Sequence, residues 1–371
     1  MIAEDFFELI EKQYAANLPF VVYKKPLEHK LGLFIQNDKE LITLSTFREQ
    51  GFVFAPFQNT KNTVLIPGAP VYIENFDLDF DISEPSTKEV VDENQKSKHT
   101  ALVSKAIEEI KKSDLQKVVL SREQSIPLEK SNPINLFKKL ITKYTTAFVY
   151  LWHHPQVGTW LGATPETLFT LKGRSFETMA LAGTQYYNGA LNVNWGAKEQ
   201  EEQQLVTDEI VTKLKPFQLT NFKVYERESY RAGNLLHLRT RISGSFPTAV
   251  ADLKELVKAL HPTPAVCGYP RDLAKEFILN NELHQRNYYT GYLGELNILE
   301  DNSRKRNPRN VENLAYKTLR KSTQLYVNLR CMQYKEKQAL VYVGGGITKD
   351  SNPEQEWDET VNKAQTIASI L

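Results

Sequence analysis

Short apolar runs that follow one another with only turn residues between them constrain this chain more than any other feature. Between residues 20 and 82 such runs fall at 20–23, 31–36, 52–56, 63–66 and 71–73, parted by Pro, Gly and Asn. The texture returns at 147–152, 158–163 and 167–171, and again near 223–229, 235–243, 290–298, 323–334 and 339–343. Helical spacing is confined to 3–16, to a segment carrying Leu102, Val103, Ala106, Ile107 and Ile110, and to 134–144, 197–214 and 353 onwards. Parallel strands each need a crossover of roughly a dozen residues or more, and there are too few helices to supply them. The pattern predicts an α+β fold in which large antiparallel β-sheets carry helices on their outsides.

Charge and cysteine usage exclude several function classes. The 371 residues carry 46 basic and 45 acidic side chains without a long Lys/Arg block, which argues against a nucleic-acid or membrane-surface partner. Cys267 and Cys331 form no Cys-x-x-Cys pair, so neither a thiolate zinc site nor a disulfide framework is indicated. Residues 1–17 carry acids from the fourth position and no long apolar run, unlike a signal peptide or a membrane span. The expected location is the cytoplasm. Residues 83–99 are polar and charged, and are expected to form an exposed loop between an N-terminal part (1–99) and a main body (100–371).

Candidate chemistry is scattered, and each piece has a plain alternative. Residues 116–123 alternate as a strand does, with Val118, Leu120 and Arg122 on one face and Lys117, Val119 and Ser121 on the other. Lys117 either reaches solvent from the strand's first position or, desolvated among apolar neighbours, serves as a general base. Glu166 follows Pro165 in a turn, and is either solvated or projected into a cleft as a proton donor. In 197–214, Glu199 and Glu202 lie on the side of the apolar stripe Leu205, Val206, Ile210 and Leu214, while Glu201 points away. A helix N-terminus favours acids for its dipole alone, so pattern leaves that choice open.

Glu356 and Glu359 lie on the side of the last helix away from Trp357, Val361, Ala364, Ala368 and Leu371, where pattern favours a solvated acidic face. Three carboxylates from two helices, with no Cys or His beside them, suit a hard cation such as Mg²⁺. Gly344, Gly345 and Gly346 end a strand, either as a flexible bend or as backbone that approaches an anion closely. Arg330 is expected in a strand over 325–334, sharing a face with Tyr326, Asn328 and Met332, as a structural ion pair or a carboxylate fork. His237, among Leu235, Leu236 and Leu238, reads as a satisfied core histidine.

The order of these pieces carries more than any one of them. Lys-Val-Val-Leu-Ser-Arg (117–122), Gly-Ala-Thr-Pro-Glu (162–166), Leu-Ala-Gly-Thr (181–184) and Lys-x-x-x-Glu-x-x-Leu-Val (198–206) come first. Leu-His-Leu (236–238), His-Pro-Thr-Pro-Ala (261–265), Leu-Arg-Cys (329–331), Gly-Gly-Gly-Ile (344–347) and Glu-Trp-Asp-Glu-Thr (356–360) follow. In sequence they resemble the motifs of the chorismate-utilising enzymes, a family that includes isochorismate, salicylate, anthranilate and aminodeoxychorismate synthases. The resemblance implies that family's chorismate-binding fold, with 1–99 as its variable N-terminal part and 100–371 as its catalytic core.

Three positions resemble the isochorismate synthase branch. Lys117 stands where ammonia-using anthranilate synthases have glutamine, Ala182 stands where aminodeoxychorismate synthases carry a nucleophilic lysine, and 261–265 has the isochorismate synthase form. The resemblance implies that Lys117 deprotonates the water attacking ring carbon 2, and that Glu166 protonates the hydroxyl leaving carbon 4. It implies Glu202, Glu356 and Glu359 as ligands of Mg²⁺, selecting Glu202 over Glu199. Arg330 and the backbone of Gly344, Gly345 and Gly346 would bind the enolpyruvyl carboxylate, with Thr184, His237 and Ala265 lining the pocket. The expected activity is Mg²⁺-dependent conversion of chorismate to isochorismate; the alternative is salicylate synthase, which goes on to eliminate pyruvate. No glutamine amidotransferase subunit is expected, and the family implies a monomer.

Two departures stand out. Gly291-Tyr292-Leu293-Gly294-Glu295-Leu296 replaces a more usual Gly-Pro-Val-Gly-Trp-like run, and Cys267 stands where Ser or Gly is commoner. Both glycines are kept, so altered packing is expected and not a lost reaction.

Overall fold

The computed structural model describes residues 2–58, 62–74, 92–128, 132–248, 252–301 and 319–371. Helix α1 (Ala3–Ala15) leads into β1 (Phe20–Lys24), β2 (Lys30–Ile35), β3 (Gly51–Ala55), β4 (Val64–Pro67) and β5 (Val71–Glu74). Helix α2 (Glu93–Lys112) precedes β6 (Lys117–Pro127), and α3 (Pro133–Lys143) precedes β7 (Phe148–His154), β8 (Gly158–Thr164), β9 (Thr167–Lys172) and β10 (Ser175–Tyr186). Helix α4 (Ala197–Leu214) is followed by β11 (Thr220–Val224), β12 (Glu228–Ala232) and β13 (Leu235–Ser245). Then come α5 (Leu253–Leu260), β14 (Gly268–Tyr269), α6 (Arg271–Asn281), β15 (Tyr292–Asp301) and β16 (Leu319–Val327). The chain continues through β17 (Cys331–Lys335) and β18 (Gln338–Ile347) to α7 (Pro353–Ala368).

Among the described residues the strands form two nine-stranded antiparallel sheets. The first runs β14-β6-β18-β17-β8-β7-β1-β2-β5; the second runs β11-β13-β10-β9-β16-β15-β3-β4, with β12 also on β13. The first seventy-odd residues are thus built into both sheets: β1 pairs with β7 in one, β3 with β15 in the other.

Strand composition explains why the sheets stack with helices outside them. In β7, Phe148, Tyr150 and Trp152 point one way and Val149 and Leu151 the other. The aromatic set meets Tyr23, Phe34, Phe52, Phe54, Trp160 and Tyr326 in a layer between the sheets. The aliphatic set packs under α1, α3 and α7 through Phe6, Ile10, Phe137, Leu140 and Ile367. On the second sheet, Val206 and Ile210 of α4 and Leu256 of α5 cover Phe176, Ile242 and Leu325. Helices α2 and α6 cover Val118 and Leu120 of β6. Away from the edge strands β5, β11 and β12, each sheet is buried on both faces, which is why its central strands read as continuous apolar runs instead of alternating with polar residues.

The structure corrects several local expectations. Residues 93–99 belong to α2, whose N-cap Asp92 accepts from the Asn94 and Gln95 amides, so they are no loop; 83–91 lie outside the described residues. The run 323–334 is broken into β16 and β17 by a turn that contains Arg330, and 223–229 is divided between β11 and β12. Strand β10 and helices α5 and α6 carried no expectation. Gly344, Gly345 and Gly346 lie within β18, paired with Ser121, Leu120 and Val119 of β6, and do not form a bend.

Candidate active site

Lys117 opens β6 and is fully buried, so the solvent-reaching alternative does not hold. Its ammonium lies 2.8 Å from Glu202 Oε1. That contact is off the hydrogen-bonding angle, and Nζ has no hydrogen-bond partner among the described residues. A buried ammonium with N–H directions to spare is one that a ligand can complete.

Glu166 sits in the turn between β8 and β9 and is 3% exposed. Thr164 Oγ1 donates to Val327 O at 2.6 Å and the Val327 amide donates to Glu166 O at 3.0 Å, which anchors the turn on β16. Burial pushes the Glu166 carboxyl up to about 8, against the pull of the Lys117 charge. It therefore keeps its proton at neutral pH.

Arg330 occupies the turn between β16 and β17 with φ +46°, so it shares no strand face with Tyr326 and Met332. A non-glycine in that conformation costs about 1–3 kcal/mol, and such residues cluster at ligand sites. Its guanidinium donates to Thr366 Oγ1 and to His237 Nε2, both at 3.0 Å. His237 Nδ1–H donates to Gly183 O at 2.7 Å, which fixes the tautomer and leaves Nε2 as acceptor. Burial and the Arg330 charge push His237 down to about 3, so it is a neutral support. Arg330 is buried on neutral partners, which leaves its charge for an anionic ligand.

Thr184 reaches the same place through an irregularity. The register of β10 against β13 shifts between Ala182 and Gln185, with Gly183 at φ +68°. The bulge turns Gly183 O onto His237 and brings Thr184 to the cavity wall. Glu199 packs beneath that bulge, its Cβ 3.1 Å from where a side chain on Gly183 would begin, while Glu202 one turn on lines the cavity.

The acidic side of α7 is not a solvated face. Glu356 is 2% exposed and the Glu359 side chain 26%. Both point at the part of β18 that has no side chains. A Cβ on Gly345 would stand 3.3 Å from Glu356 Oε2 and 3.9 Å from Glu359 Oε1. One on Gly346 would overlap Glu202 Oε1 and stand 3.0 Å from Lys117 Cε. The glycines thus clear the ground on which carboxylates from α4 and α7 converge.

Each of these acids is held by a lysine: Glu202 by Lys117, Glu356 by Lys198 at 2.5 Å, and Glu359 by Lys363 at 2.5 Å. Burial and the neighbouring Glu359 push the Glu356 carboxyl up. At Glu359 burial is the largest influence and works upward too, but the Lys363 ammonium with its hydrogen bond and the Lys198 charge together hold the group below its ordinary value. Among the described residues no three His, Cys, Asp or Glu side chains stand together as a finished cation cage. The donors nevertheless fit a hard divalent ion: all are carboxylate oxygens, and Glu356 Oε2 is buried with no hydrogen-bond partner.

Glu166, Thr184, Glu202, His237, Ala265, Arg330, Gly344, Gly346 and Glu359 line one cavity of about 70 Å³. Lys117 lines an adjoining basin of about 830 Å³, and Glu202 forms part of both walls. Glu356 and Gly345 lie beside the cavity without lining it. Lys363 and Tyr289 are among the lining residues that the sequence did not single out. Lys363 is one turn from Glu359 and also donates to Gly344 O at 2.9 Å; its i, i+4 spacing was the available signal. Tyr289 places its hydroxyl 2.9 Å from where a Gly344 Cβ would stand, and no pattern in its neighbourhood announces it.

Residues 73–302 match the family model of the chorismate binding enzymes, and 314–369 match a second model of the same description. The chain belongs to the chorismate-binding enzymes. Among the relatives of this chorismate-binding enzyme, the isochorismate synthase DhbC of Bacillus subtilis is 31% identical over 222 residues, 57% of this chain and 50% of that protein. The isochorismate synthase MenF of Escherichia coli is 28% identical over 283 residues, 73% of this chain and 59% of that one. Anthranilate synthase component 1 of Aquifex aeolicus is 26% identical over 310 residues, 78% and 56% respectively. The chain spans between half and three-fifths of the length of these relatives.

Solved structures agree on the architecture. One described as the 2,3-dihydroxybenzoate-specific isochorismate synthase DhbC of Bacillus anthracis superposes with a TM-score of 0.76 at 22% identity, covering 98% of this chain and 99% of that one. MenF of Escherichia coli gives 0.73 at 21% identity, covering 95% and 88%. These likenesses establish the α+β fold of antiparallel sheets with outer helices.

Proposed function

We propose that this chorismate-binding enzyme is an isochorismate synthase that converts chorismate to isochorismate with Mg²⁺. The observation that carries the reading is a proton-bearing glutamic acid from the β8–β9 turn in the cavity wall and a buried lysine from β6 in the adjoining basin, near enough for the lysine's charge to act on that carboxyl. The relatives named isochorismate synthase support it, and so does Lys117 at the position where a base for water is needed.

Chorismate carries two carboxylates, and the site has opposing charge for each. Arg330, fixed by His237 and Thr366, takes the enolpyruvyl carboxylate as a two-pronged donor, with backbone amides of the glycine stretch beside it. Glu202, Glu356 and Glu359 would hold Mg²⁺, which supplies positive charge against the ring carboxylate. Lys117 takes a proton from the water that bonds to ring carbon 2. Glu166, from the other side of the ring, gives its proton to the carbon 4 hydroxyl, which departs as water while the ring double bonds shift. Base and acid on opposite faces let both proton transfers accompany the exchange without a free carbanion. The substrate would be chorismate alone, without an amidotransferase partner, because water and not ammonia is activated.

The test is direct. Purified protein incubated with chorismate and Mg²⁺ should yield isochorismate by chromatography. Unchanged chorismate would sink the reading, and fluorescent salicylate as the main product would assign the pyruvate-eliminating alternative.

A further inference from the structure

Strand β6 carries the proposed base, yet its outer edge is scarcely paired. Its neighbour on that side, β14, reaches only Lys117 and Val118. Beyond them the Val119 amide donates to Cys267 O at 2.8 Å, and the next edge groups are met by side chains in place of a strand. Arg286 Nη2 donates to Val119 O at 2.6 Å, and Glu282 Oε1 accepts from the Ser121 amide at 2.7 Å and from Ser121 Oγ at 2.9 Å.

These two residues, four apart in the loop that follows α6, form an ion pair with side chains 1% and 2% exposed. Arg286 uses every donor of its fork. Nε and Nη2 bind the two Glu282 oxygens at 2.8 and 2.6 Å, and Nη1 reaches Val266 O at 2.8 Å and Thr290 Oγ1 at 3.3 Å. Phe57 lies under the guanidinium at 4.5 Å. Val119, Val266 and Thr290 all line the cavity, whereas Arg286 and Glu282 do not. One buried pair therefore ties together three separate stretches of the pocket wall.

We propose that Glu282 and Arg286 are positioning residues for the reaction: they set the place of the strand that presents Lys117 relative to the 265–266 and 289–290 walls, without touching substrate. The proposal rests on Lys117 acting as the base. Its physical ground is that Lys117 Nζ makes no hydrogen bond among the described residues and has Glu202 as its one ion-pair contact there, so the placement of strand β6 largely fixes where the amine stands. A displacement on the order of 1 Å at such a group costs about 100-fold in rate. Lysine cannot substitute for Arg286, since three donors on one nitrogen cannot serve acceptors spread over four residues.

Two readouts test this. In Arg286→Lys, kcat per folded enzyme should fall about 100-fold while the chorismate KM stays within about threefold, because ground-state contacts are untouched. Amide hydrogen exchange should quicken at Val119 and Ser121 and stay unchanged in β7. Glu282→Gln keeps the arginine and its carbonyl bonds, should fold if the first variant does not, and should quicken exchange at Ser121 with a smaller loss of kcat. A folded Arg286→Lys with wild-type kcat, or with lowered thermal stability as its sole change, overturns the proposal. If the wild-type protein leaves chorismate unchanged, the functional reading fails, and the exchange data still decide whether the pair holds the strand.

Discussion

Lys25 Nζ and Glu295 Oε2 stand 2.6 Å apart with exposures of 5% and 1%, although 270 residues separate them in the chain. The Tyr23 and Tyr72 hydroxyls both donate to Glu295 Oε1, so the carboxylate is matched by a charge and two hydrogen bonds between the sheets. This accounts for the glutamate of the unusual run 291–296: it is answered by the lysine just past the end of β1. Lys25→Met should destabilise the fold by about 3–5 kcal/mol in urea titration, because it leaves a buried carboxylate without its counter-charge. Replacing both residues by apolar ones should recover most of that loss. A single-variant cost inside measurement error would show the pair to be solvated in solution.

The raised Glu166 carboxyl gives a pH profile with a definite sign. Its value of about 8 exceeds the ordinary 4.5, so the proton-donating form is present through neutrality and lost as pH rises past 8. The rate should fall on the alkaline side with a midpoint near that value. Glu166→Gln should lower kcat by about 10²–10⁴. Undiminished turnover two pH units higher would remove Glu166 as the acid.

Arg330→Met should act on binding. Removing the buried, His237-supported guanidinium forfeits about 2–5 kcal/mol, which corresponds to a chorismate KM raised by a factor on the order of 30 to several thousand. Arg330→Lys keeps the charge without the fork and should fall between. An unchanged KM in a folded Arg330→Met would place the substrate carboxylate elsewhere.

Gly346→Ala tests the convergence at β18 with one methyl group. The new Cβ would overlap Glu202 Oε1 and meet Lys117 Cε at 3.0 Å, so both side chains have to move. Turnover should drop at least about tenfold, in keeping with the cost of misplacing reacting groups, while unfolding stays close to wild type. Gly345→Ala, whose nearest neighbour would be 3.3 Å away, should be milder in comparison.

Mg²⁺ should stabilise the protein in a thermal melt, by about 2.7 kcal/mol when free metal is a hundred times Kd. Glu356→Gln should abolish most of that gain without chorismate being present. A melt that ignores Mg²⁺ would refute the carboxylates as its ligands.

Much of this was legible in the letters. The strand runs, the helix 197–214 and the antiparallel arrangement follow from spacing alone, because runs apolar on both faces still differ in length from helices. What was not legible came from backbone geometry. Arg330 leaves the strand pattern through a left-handed turn that no side-chain period announces. Gly344, Gly345 and Gly346 resembled a bend because local propensity ignores the partner, β6, that holds them extended. Glu356 looked solvated for the same reason: a helix pattern shows which side is polar, but not that the neighbouring strand lacks side chains and lets that side be buried.

The pairing of Val119 with Gly346 joins the strand that offers the amine to the strand over which the acids gather. These two ribbons come from distant parts of the polypeptide, so neither half alone can inherit the catalyst. A protease nick in the stretch between them should leave an active, non-covalent two-piece enzyme. Pulling the pieces apart should extinguish both at once, and mixing them again should restore what neither retains.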